Sequence, residues 1–91
     1  LTLLGLEDVT MPKTSNLTKF DLAEIVDFFY FLDDLRESGE TNMWGAGAYV
    51  EAEYGLERPD ARDITLAWMH TFSHDSTPED RAAEALKQAA A

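Results

Sequence analysis

Cysteine is absent from the 91-residue chain, which excludes disulfides, thiolate metal sites and cysteine nucleophiles and removes any need for an oxidising compartment. Cations are scarce: seven Lys and Arg stand against 18 Asp and Glu, a formal net charge of −11. Such an excess repels DNA, RNA and anionic lipid at long range and favours basic partners. No apolar run approaches the roughly 20 residues that span a bilayer, so no membrane association is expected. The opening LTLLGL is apolar but lacks a basic flank and runs into Glu7 and Asp8. It makes a poor signal peptide, and the cytoplasm is the expected location. There is no Gly-rich phosphate loop, nucleophile elbow or cofactor fingerprint, which points to a non-enzyme without a cofactor. A first residue of Leu1, with Met11 internal, leaves open a fragment of a longer product.

What is present suits one small helical domain. The apolar share is 45%, including two Trp, three Tyr and five Phe, enough for a core in a chain that buries roughly 60–65% of its unfolded surface. Residues 1–16 follow neither the helical nor the strand period and read as an arm. Thr18, three positions before Asp21, is placed to cap a first helix near 18–38. Leu22, Ile25, Val26, Phe29, Leu32 and Leu35 form its apolar stripe, and Phe28 and Phe31 widen the stripe beyond what a single neighbour covers. This helix therefore sits centrally or meets a second copy, giving a homodimer through helix 1. From Asp21 to Glu40, seven acids face only Arg36, so about half the net charge falls here.

Gly39 is placed to end this helix in the left-handed conformation, and Thr41 or Asn42 to start the next. A second helix near 43–54 turns Ala46, Tyr49, Val50 and Tyr54 inward; Gly45 and Gly47 each cost it roughly 1 kcal/mol against alanine, which invites a packing reason. Gly55 ends it, Leu56 returns to the core, and Pro59 suits the first turn of a third helix near 59–72. Ala61, Ile64, Thr65, Trp68 and Phe72 line that helix's inner face. Thr77, Pro78 and Asp80 open a fourth helix whose Ala82, Ala83, Leu86 and Ala90 offer little apolar area, so weak docking is expected. The expected organisation is an N-terminal arm (1–16), a three-helix domain (17–75) and a C-terminal helix or tail (76–91).

The stretch MWGAGAYVEAEYGLERPDARDITLAWMHTF, residues 43–72, has the layout of a helix-turn-helix, with Gly55-Leu56 as the sharp turn. Val50, Tyr54, Leu56, Ala61 and Ile64 fall where such motifs put core residues. Glu51 stands where a small alanine is usual, with Ala52 one residue late. The plainer reading is an ordinary helical corner with a glycine cap. If nucleic acid is bound, Arg58, Arg62, Thr65 and His70 on the third helix are the candidate contacts, with Lys13 and Lys19 adding phosphate contacts. Asp60 and Asp63, interleaved with the arginines, oppose this, and arginines paired with those acids explain the pattern as well. His70 and His74 have the spacing of a helical metal pair but lack further ligands, and no metal site is expected. Asp33, Asp34, Glu37 and Glu40 read as a solvated helix face rather than catalytic carboxylates. Trp44, in the first turn of the second helix, is the aromatic placed to meet a partner.

Residues 31–72, FLDDLRESGETNMWGAGAYVEAEYGLERPDARDITLAWMHTF, resemble small uncharacterised helical proteins of marine tailed phages. The likeness lies in the acidic Leu-Arg-Glu-Ser-Gly turn leading into Asn-Met-x-Gly-Ala, followed by Gly-Leu, Ala-Arg and Trp-Met. It implies a phage or marine-microbe origin and a helix-turn-helix-like domain, with no catalytic residues. The expectation is an all-α fold with a small three-helix core, a helix-turn-helix-like unit and a weak C-terminal helix. The function expected first is non-enzymatic nucleic-acid binding of helix-turn-helix type. The alternative is an acidic adaptor or inhibitor that binds a basic host or phage protein, acting as a nucleic-acid mimic.

Overall fold

The computed structural model describes residues 15–90. All the regular structure in that span is helical: α1 (Leu22–Ser38), α2 (Ala46–Tyr54), α3 (Arg58–Thr71) and α4 (Pro78–Ala90), with 3-10 turns at Ser15–Lys19 and Met43–Gly45. The four helices form a compact all-α globule. Except for its last two residues, the expected arm over 1–16 lies outside the described residues.

The start of α1 corrects the expected cap. Asp21, not Thr18, is the N-cap: its Oδ1 accepts from the Glu24 backbone N–H at 2.9 Å, and Glu24 Oε1 accepts from the Asp21 N–H at 2.9 Å. This reciprocal pair satisfies two backbone donors at once, where a lone threonine hydroxyl satisfies one. The chain before it, Thr18 included, is wound into the 3-10 turn instead. At the other end Gly39 adopts φ 72°, the left-handed geometry expected of it, and Gly55 ends α2 in the same way with φ 65°. Asn42 caps the Met43–Gly45 turn, so the second helix begins as a 3-10 segment and becomes α-helical only at Ala46.

The core is built around α1 and α3. Ile25, Phe28, Phe29, Leu32 and Leu35 of α1 meet Ala61, Ile64, Ala67 and Trp68 of α3, with Ala46 and Val50 of α2 and Leu17 of the first 3-10 turn. An aromatic cluster joins α1 to α2: the Phe28 and Phe31 rings stand edge-on to Tyr54 at 4.7 and 5.6 Å, and Phe20 is edge-on to Phe28 at 5.2 Å. The unusual breadth of the α1 stripe is thus taken up inside the chain by α2, α3 and α4. Two residues expected in the core are exposed instead. Leu22 stands in the first turn of α1, and Tyr49 on α2 is turned outward because Ala46 and Val50 already face α1 and α3.

The C-terminal helix is a docked part of the core, contrary to the weak docking expected from its composition. Ala82 and Ala85 are buried, and their small side chains let α4 approach closely. Arg81 completes the interface. Its guanidinium, 5% exposed, donates to both carboxylate oxygens of Asp33 at 3.0 and 2.8 Å. Trp68 Nε1 donates to the same Asp33 Oδ1 at 2.8 Å, so one carboxylate ties α1, α3 and α4 together. The Phe72 ring lies against both the Arg81 and the Arg36 guanidinium, at 5.0 and 4.6 Å.

Candidate functional site

The remaining flank of α3 faces α2 across an open groove of about 470 Å³. Local chemistry shapes its rim. Asn42 Oδ1 accepts from the Gly45 N–H at 2.9 Å, closing the 3-10 turn, and a Cβ at Gly45 would collide with the Thr41 hydroxyl. The packing reason for this glycine is therefore local. The turn carries Trp44 outward, and the indole is 85% exposed. Gly47 and Ala48 keep the α2 wall low, while α3 contributes Leu66 and Met69 and the turn contributes Met43. The groove is apolar along most of its length, and Arg58 and Arg62 also line it.

The interleaved acids do not share this face. Asp60 binds Lys19 Nζ at 2.8 Å, and the Asp63 side chain is 3% exposed and accepts the Asn16 backbone N–H at 3.3 Å. On a helix Asp60 falls across the axis from Arg58 and Arg62, and Asp63 falls about 100° round from Arg62. Arg62 reaches back to Asp63 only at 3.5 Å and is itself 66% exposed. Glu51 is the one carboxylate lining the groove among the described residues. Arg62 thus keeps the pairing with Asp63 expected from the sequence, while Arg58 has no ion pair among the described residues.

The other expected contacts separate. Thr65 borders the groove but is buried and donates its hydroxyl to the Ala61 carbonyl at 2.8 Å. This corrects its place among the base-reading candidates. The cause is helical phase: Thr65 lies between the groove and the core, under Gly47. Lys19 is committed to Asp60 on the opposite flank, and that bond raises its pKa. His70 is exposed, about two turns beyond Arg62. Lys13 lies outside the described residues. His74 follows the end of α3 and rests edge-on against Phe72 at 5.1 Å, so it does not share a helical face with His70. Among the described residues no cluster of three or more His, Asp or Glu could hold a metal ion.

A second surface lies on the outer side of α1. Asp27, Asp34 and Glu37 are exposed along one stripe, with Tyr30 between them at 44% exposure. The Tyr30 hydroxyl donates to Glu79 Oε2 of α4 at 2.7 Å, which raises the tyrosine pKa and lowers that of Glu79. Asp33, which the sequence groups with these acids, belongs to the interior network with Arg81 and Trp68. Its position four residues after Phe29, at the edge of the apolar stripe, was the available signal. The lone arginine in the alanine-rich last helix was the other. Among the described residues, no helix is long and apolar enough to cross a membrane. No protein-family model matches the chain, and no curated protein or solved structure is detectably similar to it.

Proposed function

We propose that the chain is a non-enzymatic protein-interaction domain, an acidic adaptor that recruits a basic partner protein. The observation that carries this reading is the α1 stripe, in which exposed Asp27, Asp34 and Glu37 surround a half-exposed Tyr30 held in place by Glu79. Carboxylates steer a basic partner in, and an ordered aromatic ring gives a lysine or arginine a face to lie on. The net charge of −11 adds long-range attraction of the same sign.

A second reading, nucleic-acid binding through a helix-turn-helix-like α2 and α3, is favoured by Arg58, Arg62 and Trp44 lining one groove. The buried Val50, Ala61 and Ile64 also suit it. Against it, Thr65 is inside, and α3 is buried at Ala61, Asp63, Ile64, Thr65, Ala67 and Trp68, leaving little of it to enter a major groove. Two cations give a salt slope of only about −2, a small attraction to set against the whole chain's charge.

Fluorescence anisotropy separates the two. A labelled lysine-rich peptide, duplex DNA, single-stranded DNA and RNA are each titrated at low and at physiological salt. The adaptor reading expects the peptide to bind, binding to weaken with salt, and affinity to fall in Tyr30→Ala and in Asp34→Asn, Glu37→Gln. Nucleic-acid binding that disappears in Arg58→Ala, Arg62→Ala would replace this reading with the second.

A further inference from the structure

We propose that the groove between α2 and α3 is a second docking seat, for an amphipathic segment of a partner protein that carries carboxylates beside bulky apolar side chains. The inference rests on the protein-interaction reading and adds to it a site of opposite charge preference.

Charge complementarity identifies the occupant. In a chain of net charge −11, Arg58 and Arg62 are exposed on a groove whose one carboxylate among the described residues is Glu51, and Arg62 touches Asp63 only at 3.5 Å. Asp60 is held by Lys19 and Asp63 is buried under the first 3-10 turn. A segment bearing carboxylates is repelled by the exterior of α1 and attracted here, so the same charges that reject it elsewhere direct it to this face. Fork-shaped guanidiniums hold a carboxylate in a defined orientation.

The apolar part of the seat specifies the rest. Trp44, Met43, Leu66 and Met69 present an indole, two thioethers and a branched chain to the same space. Tryptophan is enriched among residues that dominate binding energy, and methionine adapts its shape to different side chains. An indole 85% exposed on a chain of this size is surface that burial by a partner would stabilise. Gly47 and Ala48 allow the partner's backbone to approach α2 closely. The volume, about 470 Å³, is in the range of sites that take compact groups. Polynucleotide is a poor occupant of an apolar seat with two cations and the Glu51 carboxylate, and a second copy of the chain would bring its own −11 with it.

The test uses two short fluorescein-labelled amphipathic peptides. One has leucines at helical spacing flanked by glutamates, and the other has every glutamate replaced by lysine. Each is titrated by anisotropy against the wild-type chain, Trp44→Ala and Arg58→Glu, Arg62→Glu; all three positions are exposed, and circular dichroism checks that each variant is folded before titration. The expected result is that the acidic peptide binds and loses about tenfold in affinity or more in each variant. The lysine peptide's binding should be unchanged in Trp44→Ala. An acidic peptide that fails to bind, or binds all three proteins equally, overturns the proposal. So does displacement of the acidic peptide by duplex DNA at low salt. The adaptor reading fails separately: it is lost if the lysine peptide does not bind the wild-type chain, whereas loss of the acidic peptide alone removes only the groove.

Discussion

Trp68 and Trp44, the two tryptophans of the chain, mark opposite treatments of the same helix. On the flank of α3 that faces α1 and α4, Trp68 is 1% exposed, its indole N–H is given to Asp33, and that carboxylate is held on both oxygens by Arg81. On the flank that faces α2, Trp44 is 85% exposed and shares an open groove with two methionines and two arginines. A domain this small has little apolar area to spare for display. The closed flank shows how the fold can tolerate an open one: a polar three-helix junction anchors α4 where alanines alone supply little area. The two flanks differ in kind: one holds the fold together, and the other is the face proposed above as a docking seat.

The largest expected effect tests that division. Asp33→Ala would leave the buried Arg81 guanidinium without its partner, and urea unfolding should show a loss of about 3 kcal/mol. Trp44→Ala in the same assay should change stability by no more than about 0.5 kcal/mol. Equal losses would break the comparison, since the exposed indole would then be part of the fold's support. Arg81→Met, which fills the site without a charge, should cost less than Asp33→Ala because it leaves Asp33 at a partly solvated edge.

Acid should act through the same carboxylate. Burial tends to push the Asp33 carboxyl up, but hydrogen bonds from Arg81 and Trp68 and the charge of Arg81 outweigh it and hold the group below its ordinary 3.8. A carboxyl with a lowered folded pKa contributes stability that is fully present above the unfolded value and is lost as pH falls through the folded one. Stability followed by urea midpoint should therefore drop below about pH 4, and Asp33→Asn should flatten that limb. Substitutions on the groove, Trp44→Ala included, should leave the acid limb unchanged.

The smallest effects sharpen the contrast within α2. A Cβ at Gly47 would meet only Thr65 Oγ1, at an ordinary 3.7 Å, so Gly47→Ala should raise stability by about 0.5–1 kcal/mol through its better helix propensity. Gly55 has φ 65°, and Gly55→Ala should lower stability by about 1 kcal/mol. Both are read from thermal midpoints. A destabilised Gly47→Ala would mean that α2 and α3 are already in tight contact there, leaving no low wall for a partner's backbone.

Much of the fold was legible because its punctuation acts locally. Gly39 and Gly55 end helices through their own backbone freedom, Pro59 starts one through its fixed φ, and the α1 stripe declares a buried helix whatever covers it. The cap of α1 was misjudged within four residues, because Asp21 and Glu24 satisfy each other's backbone and so outcompete Thr18. The docking of α4 was not visible, since it depends on a pair 48 positions apart, Asp33 and Arg81, that no window of periodicity contains. In the candidate site, Arg58, Arg62 and Trp44 were readable as exposed, whereas the groove they share was not. The removal of Asp60 and Asp63 from it rests on Lys19 and on the Asn16 backbone, both brought in from the far end of the described chain. Thr65 shows the limit of face assignment: on a helix in contact with α1, α2 and α4, a position can satisfy both the core and the recognition pattern, and packing decides.

The two indole N–H groups allow the central division to be read in one experiment. In a two-dimensional ¹H–¹⁵N spectrum each tryptophan gives its own indole signal, assigned with Trp44→Phe. Titration with the unlabelled glutamate–leucine peptide should move the Trp44 signal and leave that of Trp68, held by Asp33, where it is. If Trp68 moves while Trp44 does not, or neither moves at saturating peptide, the groove is not the binding face and the account of α3 as one closed and one open flank is contradicted.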